Sequence, residues 1–223
     1  MGLPFTSGPV TLFLALDNGL PFAASSAVGS MLGVIAQTTF ALAYAAVAGR
    51  AGRLVPALAA GVVAFAVVGA ITEPLALAAL PLFALIAVIL VVAIRLVPDP
   101  GMTAAVALPR WDLPARMVVA TMLVLALTSA APLLGPRVSG LLATLPLYAS
   151  ILAAFGHSLV GPAAAIRVWR GLLFGLFGFG AFFLVLALAL ERFGIAVAFG
   201  LAILTALVAQ ALTLSLLRRG AVG

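Results

Sequence analysis

Long apolar runs, broken at proline, glycine and charged positions, organise this chain from end to end. A bilayer core takes about 20 apolar residues per helix, and on that measure the breaks predict eight spans. They run from about Leu3 to Leu16, Ala24 to Ala48, Leu54 to Ile71, Pro74 to Leu96, Pro114 to Leu133, Val138 to Val160, Val168 to Leu190 and Ile195 to Leu217. The first is short, carries Pro4, Gly8 and Pro9, and runs into Asp17-Asn18-Gly19, so it fits a re-entrant segment as well as a crossing. The one long polar connection, residues 98–113, opens on Pro98-Asp99-Pro100 and holds Trp111, a residue suited to the membrane interface. The expected organisation is a first four-helix unit over residues 1–97, a cytoplasmic connection over 98–113 and a second four-helix unit over 114–223. The fold class expected is all-α, a polytopic transmembrane bundle.

Composition strengthens this picture. Of 223 residues, 66% are hydrophobic and 7% charged, where a soluble domain carries roughly a quarter charged residues. The net charge of +6 comes from eleven arginines and no lysine. These arginines stand singly or in pairs between apolar runs and form no basic face, which argues against nucleic acid as a partner. Cysteine is absent, so disulfides and thiol chemistry are excluded. With His157 and five acids scattered over distant segments, no metal-ligand spacing is present, and no cofactor is expected.

Arginine is retained on the cytoplasmic side of membrane helices. With eight spans and a cytoplasmic N-terminus, Arg50, Arg53, Arg95, Arg110, Arg116, Arg167, Arg170, Arg218 and Arg219 fall inside, and Arg137 and Arg192 outside. The C-terminus is therefore expected to be cytoplasmic. The pair Arg50/Arg53 recurs as Arg167/Arg170, and Gly61, Phe65 and Glu73 have counterparts at Gly178, Phe182 and Glu191 in nearly the same register. This predicts a duplicated four-helix unit. An even number of spans per unit makes the copies parallel, related by a two-fold along the membrane normal.

Chemistry is sparse and concentrated in two spans. In the second, Ser26, Ser30, Gly33, Gln37 and Tyr44 fall on one helical stripe, which must face protein or water. Such a stripe serves either as interhelical glue or as the lining of a cleft. In the sixth, Thr144 and Tyr148 share one stripe and Ser150 and His157 another, and Pro146 removes a backbone hydrogen bond near them. Gln37, Tyr44, Tyr148 and His157 are the candidate substrate-binding residues. His157 suits a proton relay or a plain helix-ending hydrogen bond. Asp17 is the candidate coupling-ion site, or a residue of an interfacial turn. Arg50, Arg53, Arg167 and Arg170 are candidate contacts to phosphate or lipid head groups, or topology signals alone. Gly171, Gly175 and Gly178 form a stripe suited to helix packing.

The second half carries a resemblance. Ser139-Gly140-Leu141-Leu142, Leu145-Pro146, His157-Ser158-Leu159-Val160-Gly161, Ala165-Ile166-Arg167, Gly171 and Gly175 resemble the GlpM family of small bacterial inner-membrane proteins, over roughly Met117 to Leu190. The first half departs from that pattern: Val34 to Gln37 contains no proline, and Phe40 stands near the place of His157. The resemblance implies a multi-pass protein of the bacterial inner membrane made of two fused units, and no specific reaction.

These features predict a small permease or flippase-like transporter with its pathway between spans 2 and 6. The alternative is a non-catalytic membrane subunit that docks to a partner complex. An enzyme is not expected, because neither half gathers an acid, a histidine and a nucleophile. The partners this class admits are membrane lipids, a second copy or a membrane complex.

Overall fold

The computed structural model describes residues 7–75, 77–101 and 112–220. Every element among them is helical: α1 (Ser7–Asn18), α2 (Leu20–Ala51), α3 (Leu54–Thr72), α4 (Ala79–Leu96), α5 (Asp112–Leu134), α6 (Pro136–Ala143), α7 (Leu147–Leu159) and α8 (Pro162–Gly220). Among the described residues, five stretches are long and apolar enough to cross a membrane, where the apolar runs predicted eight: α2, α3, α4, the α6–α7 pair and residues 162–213 of α8. The first predicted span yields only the 12-residue α1, about 18 Å long at 1.5 Å per residue, which is short of a full crossing. Its residues 3–6 and Arg110 lie outside the described residues, as do the side chains of Arg116, Arg218 and Arg219.

α2 is the axis of the bundle. Its 32 residues are rich in Ala, Gly and Ser, and most are buried, so neighbouring backbones approach it on several sides. It ends where Gly52 takes the left-handed conformation and its N–H caps the Ala48 carbonyl. α3 and α4 lie outside it and bury only narrow stripes at helical spacing, Ala57, Gly61, Phe65, Gly69 and Thr72 in α3 and Leu82, Ile86, Leu90 and Ala93 in α4. Their remaining faces expose Val62, Val63, Val67, Ile71, Leu80 and Val88. An apolar surface of this extent is wetted by lipid tails rather than by water. The protein is membrane-embedded.

Three corners share one backbone device. Gly19 (φ 89, ψ 168), Gly135 (φ 78, ψ 166) and Gly194 (φ 74, ψ 178) each join two helices through a single residue in a region that is essentially glycine-only. At Gly194 the chain folds back on itself. The rings of Phe182 and Phe199 lie 6.0 Å apart, and Gly178 abuts the Ala206 carbonyl, so α8 is a hairpin of two limbs, 162–193 and 195–220.

Three expectations are corrected. The fourth span starts at Ala79 rather than Pro74, because residues 73 and 74 form a turn. The sixth is two helices, because the chain leaves the helical path between Ala143 and Leu147, around Pro146. The arginine pairs, although equally spaced, occupy different elements. Arg50 lies in the last turn of α2 and Arg53 caps the start of α3, whereas Arg167 and Arg170 both lie inside α8. The cause is length: α6 and α7 span 24 residues where α2 has 32, so the second pair falls past the corner.

Candidate functional site

The polar stripe of α2 is buried against α6, and Tyr44 at its far end meets His157 of α7. Glycine makes this approach possible. A Cβ at Gly140 would overlap the Ser26 carbonyl, one at Gly29 the Arg137 carbonyl, and one at Gly33 the Thr144 hydroxyl. Across this contact Ser30 Oγ donates to the Gly140 carbonyl at 3.1 Å, and the Gln37 amide nitrogen donates to the Thr144 carbonyl. From α1, Ser7 Oγ donates to the Ala143 carbonyl at 2.7 Å. Three side chains of the first half thus serve the carbonyls of Gly140, Ala143 and Thr144, the last two at the end of α6, where the helix breaks and lipid would supply no donor.

Toward the far end of α2 the track continues through Tyr44, whose hydroxyl lies 2.8 Å from His157 Nδ1. His157 Nε2 lies 3.2 Å from the Gly52 carbonyl. A carbonyl only accepts, so Nε2 carries the hydrogen and Nδ1 accepts from Tyr44. Both residues are buried, Tyr44 completely and His157 to 8% exposure. Trp169 from α8 packs over this point, its ring 4.6 Å from Phe40 and 5.3 Å from Tyr44. From Ser26 to Tyr44 the track covers about 27 Å of helix rise, close to the roughly 30 Å of a hydrocarbon core.

The structure therefore brings Tyr44 and His157 together and buries Gln37, seven residues before Tyr44 on α2, against Thr144; the sequence singled out all three. Tyr148 is half-buried on the first turn of α7. Asp17 is exposed near the end of α1, away from the track. Arg50 is exposed and reaches back to the Ala46 carbonyl at 3.5 Å, Arg53 is exposed, and Arg167 is half-buried on α8. Arg170 closes the end of α4: it donates to the Ile94 and Val97 carbonyls at 2.9 and 2.7 Å, pairs with Asp99 at 3.6 Å and lies over the Phe174 ring. The bonds from His157 to Gly52 and from Arg170 to Ile94 and Val97 bring together the helix ends that carry Arg50, Arg53, Arg95, Arg167 and Arg170, which therefore share one end of the bundle. Arg137, which donates to the Leu75 carbonyl, and Glu73 lie at the other. A groove of about 340 Å³ lined by Gly69, Ala70, Glu73, Val138 and Leu141 opens between α3 and α6, beside the track rather than on it.

Sequence reasoning missed Ser7, Trp169 and the Gly52 carbonyl. No local signal marks them, since Ser7 lies 136 residues from its acceptor and Gly52 lies 105 residues from His157. Of the glycine stripe in α8, Gly178 makes the close contact already described, whereas a Cβ on Gly171 would meet open space. Among the described residues no group of three or more His, Cys, Asp or Glu side chains is placed to hold a metal ion. Compared with known proteins, the chain matches no family model, no curated protein and no solved structure.

Proposed function

We propose that this protein is a small permease or flippase-like transporter of a bacterial inner membrane, with its pathway along the seam between α2 and the broken α6–α7 pair. One observation carries the reading: the buried track from Ser26 to His157 runs about the thickness of a bilayer core, through groups that hydrocarbon cannot satisfy. Discontinuous helices whose carbonyls meet side chains at mid-membrane are where transporters hold their cargo. The tight contact at Gly29, Gly33 and Gly140 is then a closed state of the seam.

In this reading the chain has eight segments in two parallel units. The order α1, Gly19, α2, α3, α4 corresponds to α5, Gly135, α6–α7 and the two limbs of α8. The matched corners at Gly19 and Gly135 support it, and so do Glu73 and Glu191, both at the ends of corresponding helices. The second unit is the GlpM-like one, and it contains the break. The arginine-rich end is cytoplasmic, and the C-terminus lies on the same side.

The same tight contact favours a second reading, a non-catalytic subunit in which the stripe is glue and the outer faces of α3 and α4 meet a partner. Cysteine substitution in this Cys-free chain separates the two. Under the transport reading, Ser26→Cys, Ser30→Cys and Ala41→Cys react with a membrane-impermeant thiol reagent from the aqueous phase, well above the lipid-facing control Val63→Cys. If all three stay as inert as the control from both sides of the membrane, the seam is sealed and the subunit reading replaces transport.

A further inference from the structure

We propose that the groove between α3 and α6 binds a phospholipid whose head group bears a primary ammonium, with an acyl chain in the groove and the phosphoethanolamine at Glu73 and Arg137. The groove encloses about 340 Å³, within the roughly 300–1,000 Å³ of small-ligand pockets. Gly69, Ala70, Val138 and Leu141 make its lining apolar. Gly69 leaves the space open, since a Cβ there would stand 3.1 Å from the Leu141 side chain and fill the gap between the helices. In a bilayer such a cleft takes up an acyl chain, because a void forfeits dispersion contacts and water would find too few polar partners.

The mouth of the groove selects the head group. Glu73 ends α3 and lines the groove, and Arg137 in the first turn of α6 reaches across to the Leu75 carbonyl, two residues beyond Glu73. Opposite charges thus flank one opening without forming an ion pair with each other. Among the described residues, none meets the Glu73 carboxylate in an ion pair or a side-chain hydrogen bond, and Arg137 meets only a neutral carbonyl. α6 also starts here without a side-chain cap, so its first-turn N–H groups add positive potential beside Arg137.

Two unpaired charges of opposite sign at the membrane boundary complement a zwitterion. The guanidinium and the helix start suit a phosphate, and the carboxylate suits an ammonium that can donate N–H. A trimethylated ammonium has no N–H to donate, and a glycerol head group has no cation. The position also relates the lipid to the seam. Leu141 on the groove wall follows Gly140, whose carbonyl accepts from Ser30 of α2. The site stands on its own geometry; naming the lipid as the cargo rests on the transport reading.

The test is native mass spectrometry of the purified full-length protein in detergent, titrated with phosphatidylethanolamine, phosphatidylcholine and phosphatidylglycerol of identical chains. The wild type should hold one phosphatidylethanolamine about tenfold or more tighter than either other lipid, the scale of one charge-assisted hydrogen bond. Glu73→Gln keeps the shape, removes the charge and should erase that preference. Glu191→Gln, exposed on α8 and outside the groove, should leave it intact. Ala70→Phe fills the groove, spares both charges and should weaken all three lipids. Equal affinities in the wild type, or an undiminished preference in Glu73→Gln, overturn the head-group site. Wild-type affinity in Ala70→Phe overturns the seating of the chain, as does displacement of the lipid by chain-free glycerophosphoethanolamine at equal concentration. The cysteine labelling is scored separately. Labelled seam residues without lipid selectivity leave transport standing and remove the site, whereas selectivity with an unlabelled seam keeps the site and removes transport.

Discussion

Tyr44 and His157, 113 residues apart in sequence, share a 2.8 Å hydrogen bond in which the phenol donates to Nδ1 because Nε2 is committed to the Gly52 carbonyl. This bond ties α7 to the corner between α2 and α3 and closes the arginine-rich end of the seam. Tyr44→Phe leaves the buried Nδ1 without a donor and should cost about 1–3 kcal/mol in unfolding free energy. A double-mutant cycle with His157→Ala, followed by reversible unfolding in micelles, should give a coupling of about 0.5–3 kcal/mol. Strict additivity would mean that the two side chains do not interact in the folded protein.

The glycines of the seam should be far less tolerant than those facing lipid. Gly140→Ala places a methyl group on the Ser26 carbonyl, a backbone atom that moves only if the helices separate. A loss of about 1–3 kcal/mol or more is expected, as for overpacked cores. Gly171→Ala meets nothing and should be neutral or stabilising by up to about 1 kcal/mol through helix propensity. Equal unfolding midpoints for the two variants would contradict the close approach.

Arg170 should prove structural rather than a lipid contact. Arg170→Ala removes two donors from the carbonyls at the end of α4 and should lower stability by about 1.5–3 kcal/mol per charged hydrogen bond at most. Asp99→Asn should change little, since its carboxylate is 67% exposed and surface ion pairs contribute about 0–1 kcal/mol. Comparable losses for both variants would place the weight on the ion pair instead.

Opposite ends of the bundle should face opposite aqueous phases. Ala51→Cys and Leu96→Cys lie at the arginine-rich end, and Leu75→Cys and Leu133→Cys at the other. An impermeant thiol reagent added outside intact cells should label the second pair and spare the first. The reverse pattern would invert the proposed orientation, and labelling of all four would rule out a spanning bundle.

Much of the architecture was legible because helical period and backbone chemistry are local. The 3.6-residue period alone puts Ser26, Ser30, Gly33, Gln37 and Tyr44 on one face, and that face is the buried one. Pro146 alone announces a weakness in the sixth span, and charge placement alone separates Arg137 from Arg50 and Arg53. The same local reading marked the first segment as short but missed the turn that delays α4 to Ala79, because apolar composition does not distinguish a crossing from an extended connection.

What the sequence determined by itself is the class of the protein and the line of polar residues along α2, since both follow from residue type and helical period. The tertiary structure decided what that line meets. Ser7 on the Ala143 carbonyl, Gln37 on Thr144, Trp169 over Tyr44 and Arg170 on the end of α4 join residues from about 70 to 136 positions apart. In a bilayer, apolar side chains have no water to escape, so helix pairing follows from where backbones approach closely enough for such bonds to form. That depends on a glycine of one helix lying opposite a particular residue of the other, as Gly33 lies opposite Thr144 and Gly140 opposite Ser26. No single segment encodes that coincidence.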